Sequence, residues 1–334
     1  MRHQLPKVVL ACLVVAGSLV TGACAGTLDD VRARGRLACG VSDGLRGFSE
    51  QDASGRWQGF DVDFCKAVAA AIFGNSSLVD YVPLPTLDRF QALIGRRIDL
   101  LARSSTWTMS RDIGLPLEFV GVSYYDGQGF MVPALYGVTS PLELGGASFC
   151  GLTGSISETN VGTYFARAGL QATYMPFVEL AAARKAYAEG KCDVYTADRS
   201  VLAAERSLLP NPEDHVILND VISKSPLGPV TRDDDPAWIN LVRWTLFALI
   251  NAEEAGLDAA AMATPGDREE AVRLGEAAAA LDLAPDWVVN VLTSVGSYKD
   301  IFDRNLGSRT PLQLNRGLNA LWSEGGLLYA PPMQ

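Results

Sequence analysis

Gly59-Phe60-Asp61-Val62-Asp63-Phe64-Cys65-Lys66-Ala67-Val68-Ala69-Ala70-Ala71-Ile72 reads as the start of a buried helix. Apolar residues at 62, 64, 65, 68, 69 and 72 follow helical spacing. Asp61 and Asp63 fall in the first turn, where free N–H groups and the helix dipole favour carboxylates. They are expected to cap that helix and not to touch a ligand. Before this stretch, residues 28–34 open a charged helix and 35–41 form a short apolar strand. A glycine-rich turn follows at 42–47, and 52–55 carry a hairpin-like turn signal. After it, 79–84 read as a strand, 89–94 as a helix ended by Gly95, and 98–102 as a buried strand. Strand, helix, strand, helix, strand is the order of an open α/β sheet.

The same order restarts further on. Residues 147–152 form a strand that carries Cys150, 153–157 a small polar turn and 158–168 a helix. A strand at 173–177, an alanine-rich helix at 180–189 and a strand at 192–196 follow. Each half ends its second helix in glycine, a basic turn and an aspartate: Gly95-Arg96-Arg97-Ile98-Asp99 and Gly190-Lys191-Cys192-Asp193. Two similar α/β lobes are implied. Between them, the glycine-punctuated segment 124–132 suits a hinge strand, and Ser225-Pro226-Leu227-Gly228-Pro229-Val230 suits the return crossing. The chain would leave the first lobe, build the second and come back. Beyond Asp235 the pattern is helical, at 238–252, 268–280, 286–295 and 311–324, with Pro311 suited to a first turn.

Length and charge narrow the function classes. A chain of 334 residues allows about two domains. Its net charge is −10 and its pI near 4.8, which argues against nucleic acid and anionic lipid as partners. Only His3 and His215 occur, which argues against a histidine metal centre or a Ser/His/Asp triad. Residues 1–25 read as a secretory signal peptide, with Arg2 and Lys7, an apolar run at 8–20 and small residues at Ala23 and Ala25. Lipid attachment at Cys24 is the competing reading, but Thr21 stands where that motif wants a leucine-like residue. Cleavage after Ala25 leaves 334 − 25 = 309 residues and a charge of −10 − 2 = −12. Cys39, Cys65, Cys150 and Cys192 remain. Four cysteines in an exported chain point to two disulfides among three pairings, of which Cys39–Cys65 with Cys150–Cys192 is the sequential one.

The stretch at 59–72 resembles the signature of family 3 extracellular solute-binding proteins, the polar amino-acid binders of ABC importers. The resemblance runs through essentially the whole mature chain. It is closest to the general L-amino-acid-binding subgroup, through Cys39-Gly40-Val41-Ser42, Tyr124 to Met131, Asp214-His215-Val216-Ile217-Leu218, 244–254 and 316–322. It implies a type II periplasmic binding protein fold with two α/β lobes and two crossing strands as hinge. Residues 26–126 and 229–334 would form lobe 1, and 127–228 lobe 2. It further implies a monomer without cofactor or metal that closes on one L-amino acid and delivers it to a membrane permease.

Residue by residue, Arg111 matches the family's carboxylate-binding arginine, and a planar guanidinium suits a carboxylate. Thr106 is the matching hydroxyl, with Ser104 beside it. Its neighbour Arg103 either reaches an acidic ligand side chain or faces solvent. Asp198 matches the ammonium-binding aspartate, with a helix N-cap role as the alternative; Asp193 is expected to be structural. In the lobe-2 turn Gly154-Ser155-Ile156-Ser157, Ile156 replaces a common hydroxyl, leaving Ser155 and Ser157 as candidate contacts. Ser42 and Leu45 replace an acid and an aromatic common in the family. That argues against a dedicated lysine or arginine binder and favours broad or acidic/amide specificity. The rival readings are a dehydratase-like enzyme on the same fold, which would need a carboxylate as its acid, and a ligand-sensing binding protein.

Overall fold

The computed structural model describes residues 26–333; the predicted signal peptide lies outside them. The first sheet begins with α1 (Thr27–Arg34), β1 (Leu37–Ser42) and a small hairpin, β2 (Glu50–Gln51) and β3 (Trp57–Gln58). Then come α2 (Phe60–Phe73), β4 (Val79–Leu84), α3 (Arg89–Ile94) and β5 (Leu100–Thr106). The one-turn α4 (Met109–Asp112), β6 (Leu117–Phe119) and β7 (Tyr124–Asp126) lead out of the lobe. The second sheet takes β8 (Gln128–Pro133), β9 (Ser148–Leu152), α5 (Ser157–Arg167), β10 (Thr173–Phe177), α6 (Leu180–Ala188), β11 (Val194–Asp198), α7 (Arg199–Arg206) and β12 (His215–Ile217). The chain returns through β13 (Ser225–Arg232) and ends in α8 (Pro236–Glu254), α9 (Pro265–Gly275), α10 (Trp287–Val295) and α11 (Tyr298–Asn305).

The two sheets follow one plan. Strand order is β4-β1-β5-β13-β6 in the first and β10-β9-β11-β8-β12 in the second. In each, three parallel strands are followed by two strands that each run antiparallel to their neighbour, and the first of these is a crossing strand. The aspartates at equivalent places make equivalent bonds. Asp99 Oδ2 accepts the Ala38 amide at 2.8 Å, and Asp193 Oδ2 accepts the Ser148 amide at 2.8 Å. Each thereby ties the start of its third strand to the start of its first, so Asp193 is structural. The crossings pair with each other: Ser225 lies opposite Asp126 and Leu227 opposite Tyr124. Both sheets carry apolar clusters on both faces, as parallel strands require.

The quoted stretch forms α2 as read, but its acids do not cap it. Gly59 has φ 130°, and a Cβ there would lie 2.2 Å from the Phe48 carbonyl oxygen, so only glycine fits. That close approach lets the amides of Phe60 and Asp61 donate to the carbonyls of Gly47 and Phe48 at 2.9 and 3.0 Å. The free end of the helix is thus satisfied by backbone. Asp63 binds outward instead, to Lys66, Arg304 and Asn305. Asp61 reaches β5, as described below.

Cys39 of β1 is bonded to Cys65 of α2, and Cys150 of β9 to Cys192, with Cα separations of 6.3 and 5.7 Å. The sequential pairing therefore holds, one bridge per sheet. Loop closure over 26 and 42 residues contributes roughly 3.5–4 kcal/mol for each.

Residues 311–324 are the clearest departure from the sequence reading. They form turns and two single 3₁₀ turns, not a helix, while the helix at 298–305 was not anticipated. Gln313 and Gly317 have φ of 49° each, which an α-helix forbids. Tertiary bonds outweigh helix propensity here. Asn319 donates to the Tyr125 carbonyl at 3.0 Å and accepts its amide at 2.6 Å. Arg316 pairs with Glu253 at 2.8 Å and lies over the rings of Tyr298 and Phe302. The segment straps the hinge strand to the C-terminal helices. Among the described residues no helix is long and apolar enough to cross a membrane.

Candidate functional site

A cleft between the sheets collects residues from both. Ser42, Thr106, Leu152 and Asp198 close strands β1, β5, β9 and β11, and all four line it. The carboxyl ends of parallel strands are where open α/β sheets place ligands. Ser104, Arg111, Ser155 and Ser157 line the same space, so all seven predicted contact residues converge. The empty volume is about 670 Å³ with its open mouth included. The lobes touch around it. Arg46 donates to Ser207 Oγ across the gap at 3.3 Å.

On the first lobe, α4 starts at Thr108, whose hydroxyl accepts the Arg111 amide. This turn aims the Arg111 guanidinium back at the end of β5, where Nη1 donates to the Thr106 carbonyl at 2.8 Å, and the Phe90 ring lies beneath it. Burial lowers its pKa, and the charge of Asp198 from the opposite lobe counters that. Ser104 has φ 39°, a left-handed conformation that is strained in a serine. Asp61 holds it there, accepting from its amide at 3.1 Å and its hydroxyl at 2.9 Å. Burial pushes Asp61 up to about 6, against those two bonds. Ser42 is buried, and its amide donates to Ser49.

Arg103 does not face solvent, which removes one of its two readings. It is 9% exposed, with Nε on the Leu84 carbonyl at 2.7 Å and Nη2 on Thr86 Oγ1 at 3.1 Å. Burial pulls its pKa down to about 10.

On the second lobe, Asp198 occupies the N-cap position of α7 but makes no capping bond. Its Oδ1 accepts the Ser225 hydroxyl at 2.8 Å. Asp126, on the hinge strand, serves that helix instead, accepting the Ser200 amide at 3.2 Å. The alternative cap role for Asp198 is therefore not realised. Burial first, then the charge of Asp126, raise the Asp198 carboxyl well above the usual range. The Ser225 hydroxyl and Arg111 act in the other direction. At the start of α5, Ser155 Oγ donates to the Leu152 carbonyl at 2.6 Å and accepts the Ser157 amide at 3.3 Å. Ser155 thus closes the turn that opens α5.

Several lining residues escaped the sequence reading, among them the polar Thr86, Thr196 and Arg89, of which Arg89 alone is charged. Arg89 opens α3, where the helix dipole disfavours a cation. That mismatch was the available signal. His215 lies elsewhere, in β12, with Nδ1 2.8 Å from the Tyr187 hydroxyl. No group of three or more metal-ligating side chains occurs among the described residues.

Two hinged α/β lobes with opposite charges facing each other across a cleft define a ligand-binding protein of the closing type. The model of bacterial extracellular solute-binding proteins, family 3, matches residues 37–256, and the chain belongs to that family. It is 45% identical to the general L-amino acid-binding periplasmic protein AapJ of Rhizobium johnstonii, over 100% of both chains. It is 46% identical to the glutamate/glutamine/aspartate/asparagine-binding protein BztA of Rhodobacter capsulatus, over 96% of this chain and 97% of that one. Among solved structures, a periplasmic binding protein from Brucella ovis with glutathione bound superposes with a TM-score of 0.89 at 44% identity, covering 93% of this chain and 100% of that one.

Proposed function

We propose that the chain is the periplasmic binding component of an ABC importer for L-amino acids, working by lobe closure. The observation that carries this reading is Arg111 and Asp198 facing one cleft from opposite lobes. An α-amino acid offers one carboxylate and one ammonium at fixed separation. Arg111, with Thr106 nearby, would take the carboxylate, and Asp198 the ammonium, while Ser104, whose hydroxyl proton is held by Asp61, shapes the wall beside them. Ser155 and Ser157, at the start of α5, would meet the carboxylate from the second lobe, and Ser42 closes the near wall. Residues 26–126 and 229–334 would move as one lobe and 127–228 as the other. A ligand touching both stabilises the closed arrangement by its differential contacts, and the membrane permease would read that shape.

The relatives' ligands suit this site: the name of BztA lists acidic and amide amino acids, and the glutathione of the Brucella ovis structure carries an α-amino acid end. An enzymatic role gains no support, because His215 lies outside the cleft and Asp198 is engaged by Ser225. The mature chain, melted in the presence of each of the twenty amino acids, should rise in Tm by several degrees for a subset that includes acidic or amide ones. At a ligand concentration of 100 Kd the gain is about 2.7 kcal/mol. A flat response across all twenty would refute the reading.

A further inference from the structure

We propose that Arg89 and Arg103 form a second anion subsite, so that the ligand is an amino acid with an acidic side chain. This rests on the amino-acid reading above and adds to it the substrate class. The charged residues lining the cleft are Arg89, Arg103, Arg111 and Asp198, a balance of 3 − 1 = +2. A zwitterion uses Arg111 and Asp198 and leaves Arg89 with no acid among the described residues and Arg103 with only the long ion pair to the half-exposed Asp43.

Those two are built in and not surface residues. Arg89 is 4% exposed and Arg103 9%. Both converge on one turn: Arg89 donates to the Thr86 carbonyl and Arg103 to the Thr86 hydroxyl. Among the described residues neither has a hydrogen-bonded carboxylate. The nearest to Arg103 is Asp43, at 3.9 Å, and the Asp61 oxygen beside the strand bonds Ser104 instead. Arg89 Nε is buried with no partner at all. Buried cations are normally paired, since an uncompensated one is strongly destabilising. Here the compensation is supplied by the ligand: its second carboxylate lies between the guanidiniums, and apolar wall residues such as Leu45 and Leu180 flank its methylene stem. A lysine or arginine ligand would meet like charge at this spot.

Calorimetry on the mature chain with L-glutamate, L-glutamine, L-leucine and L-lysine decides the matter, because glutamate and glutamine differ at the side chain in charge and hardly in shape. The wild type should bind glutamate about tenfold or more tighter than glutamine, and lysine least. In Arg103→Met, glutamate should weaken by about tenfold or more while glutamine stays within about threefold. Arg103→Lys, which keeps the charge, should recover part of the glutamate affinity. Equal losses for both ligands would mark Arg103 as merely structural and overturn the subsite. So would a wild type that binds leucine or lysine as tightly as glutamate, a comparison that holds even if the variants do not fold. Binding of amino acids without acid preference sinks this inference alone; binding of none sinks the amino-acid reading as well.

Discussion

Asp198 and Asp61 are carboxylates placed where water cannot solvate them. Arg111 faces Asp198 from α4, Asp126 from β7 and Ser225 from β13. An incoming ammonium needs Asp198 ionised, so a proton held there competes with the ligand. Affinity for a neutral zwitterion such as glutamine should therefore fall as pH is lowered from 8 to 5, by at most about tenfold per unit. The stability of the ligand-free protein should move the other way. A carboxylate whose pKa is raised by folding contributes stability below its unfolded value and loses it as pH rises through its folded value. Asp61, at about 6, and Asp198 both have this sign, and His215, which burial depresses, has the opposite one. Tm should thus be higher at pH 5 than at pH 8. Calorimetric titrations and melts across that range check both trends, and parallel trends would contradict the assignment. The seven predicted contact residues could be placed on one cleft because the family resemblance locates them in or shortly after β1, β5, β9 and β11. Arg89 carried no such motif, and its one sequence signal, a cation opening a helix, gains a place in the cleft through the packing of α3 against β1, β5 and β13.

At the scale of elements, helices with a continuous apolar stripe or a glycine stop were legible to within a few residues: α2, α3, α8 and α10. The strap at 311–324 was not. Its sequence permits a helix, and tertiary contacts, of Asn319 with Tyr125 and of Arg316 with Glu253, decide against one. Asn319, buried against the hinge strand, is the test. Asn319→Ala removes both bonds to Tyr125 and leaves two partly buried backbone groups unmatched, which should destabilise the protein by about 1–3 kcal/mol. Chemical denaturation would measure it, and a change below about 0.5 kcal/mol would mean that the strap does not hold the hinge. The strand β5 shows a milder mismatch. It begins later than its apolar run and extends to Thr106, because pairing with β13 prolongs it through the polar residues that line the cleft.

The whole molecule repeats one strand plan twice, crosses between copies through β7–β8 and β13, and sets one disulfide in each sheet. The repeat was visible in the paired glycine–basic–aspartate turns because those aspartates do the same work in both sheets. The cationic character of the cleft was not visible in a chain of net charge −10, since global charge says nothing about which side chains face inward. The central claim is that one amino acid is gripped by both lobes, through Arg111 from one and Asp198 from the other. Isothermal calorimetry of Arg111→Ala and Asp198→Asn, each against the tightest ligand of the wild type, tests it most directly. Losing a buried charge partner costs about 2–5 kcal/mol, so each variant should bind at least about thirtyfold more weakly while melting within a few degrees of the wild type. A folded variant of either kind that keeps its Kd within about threefold would contradict the claim.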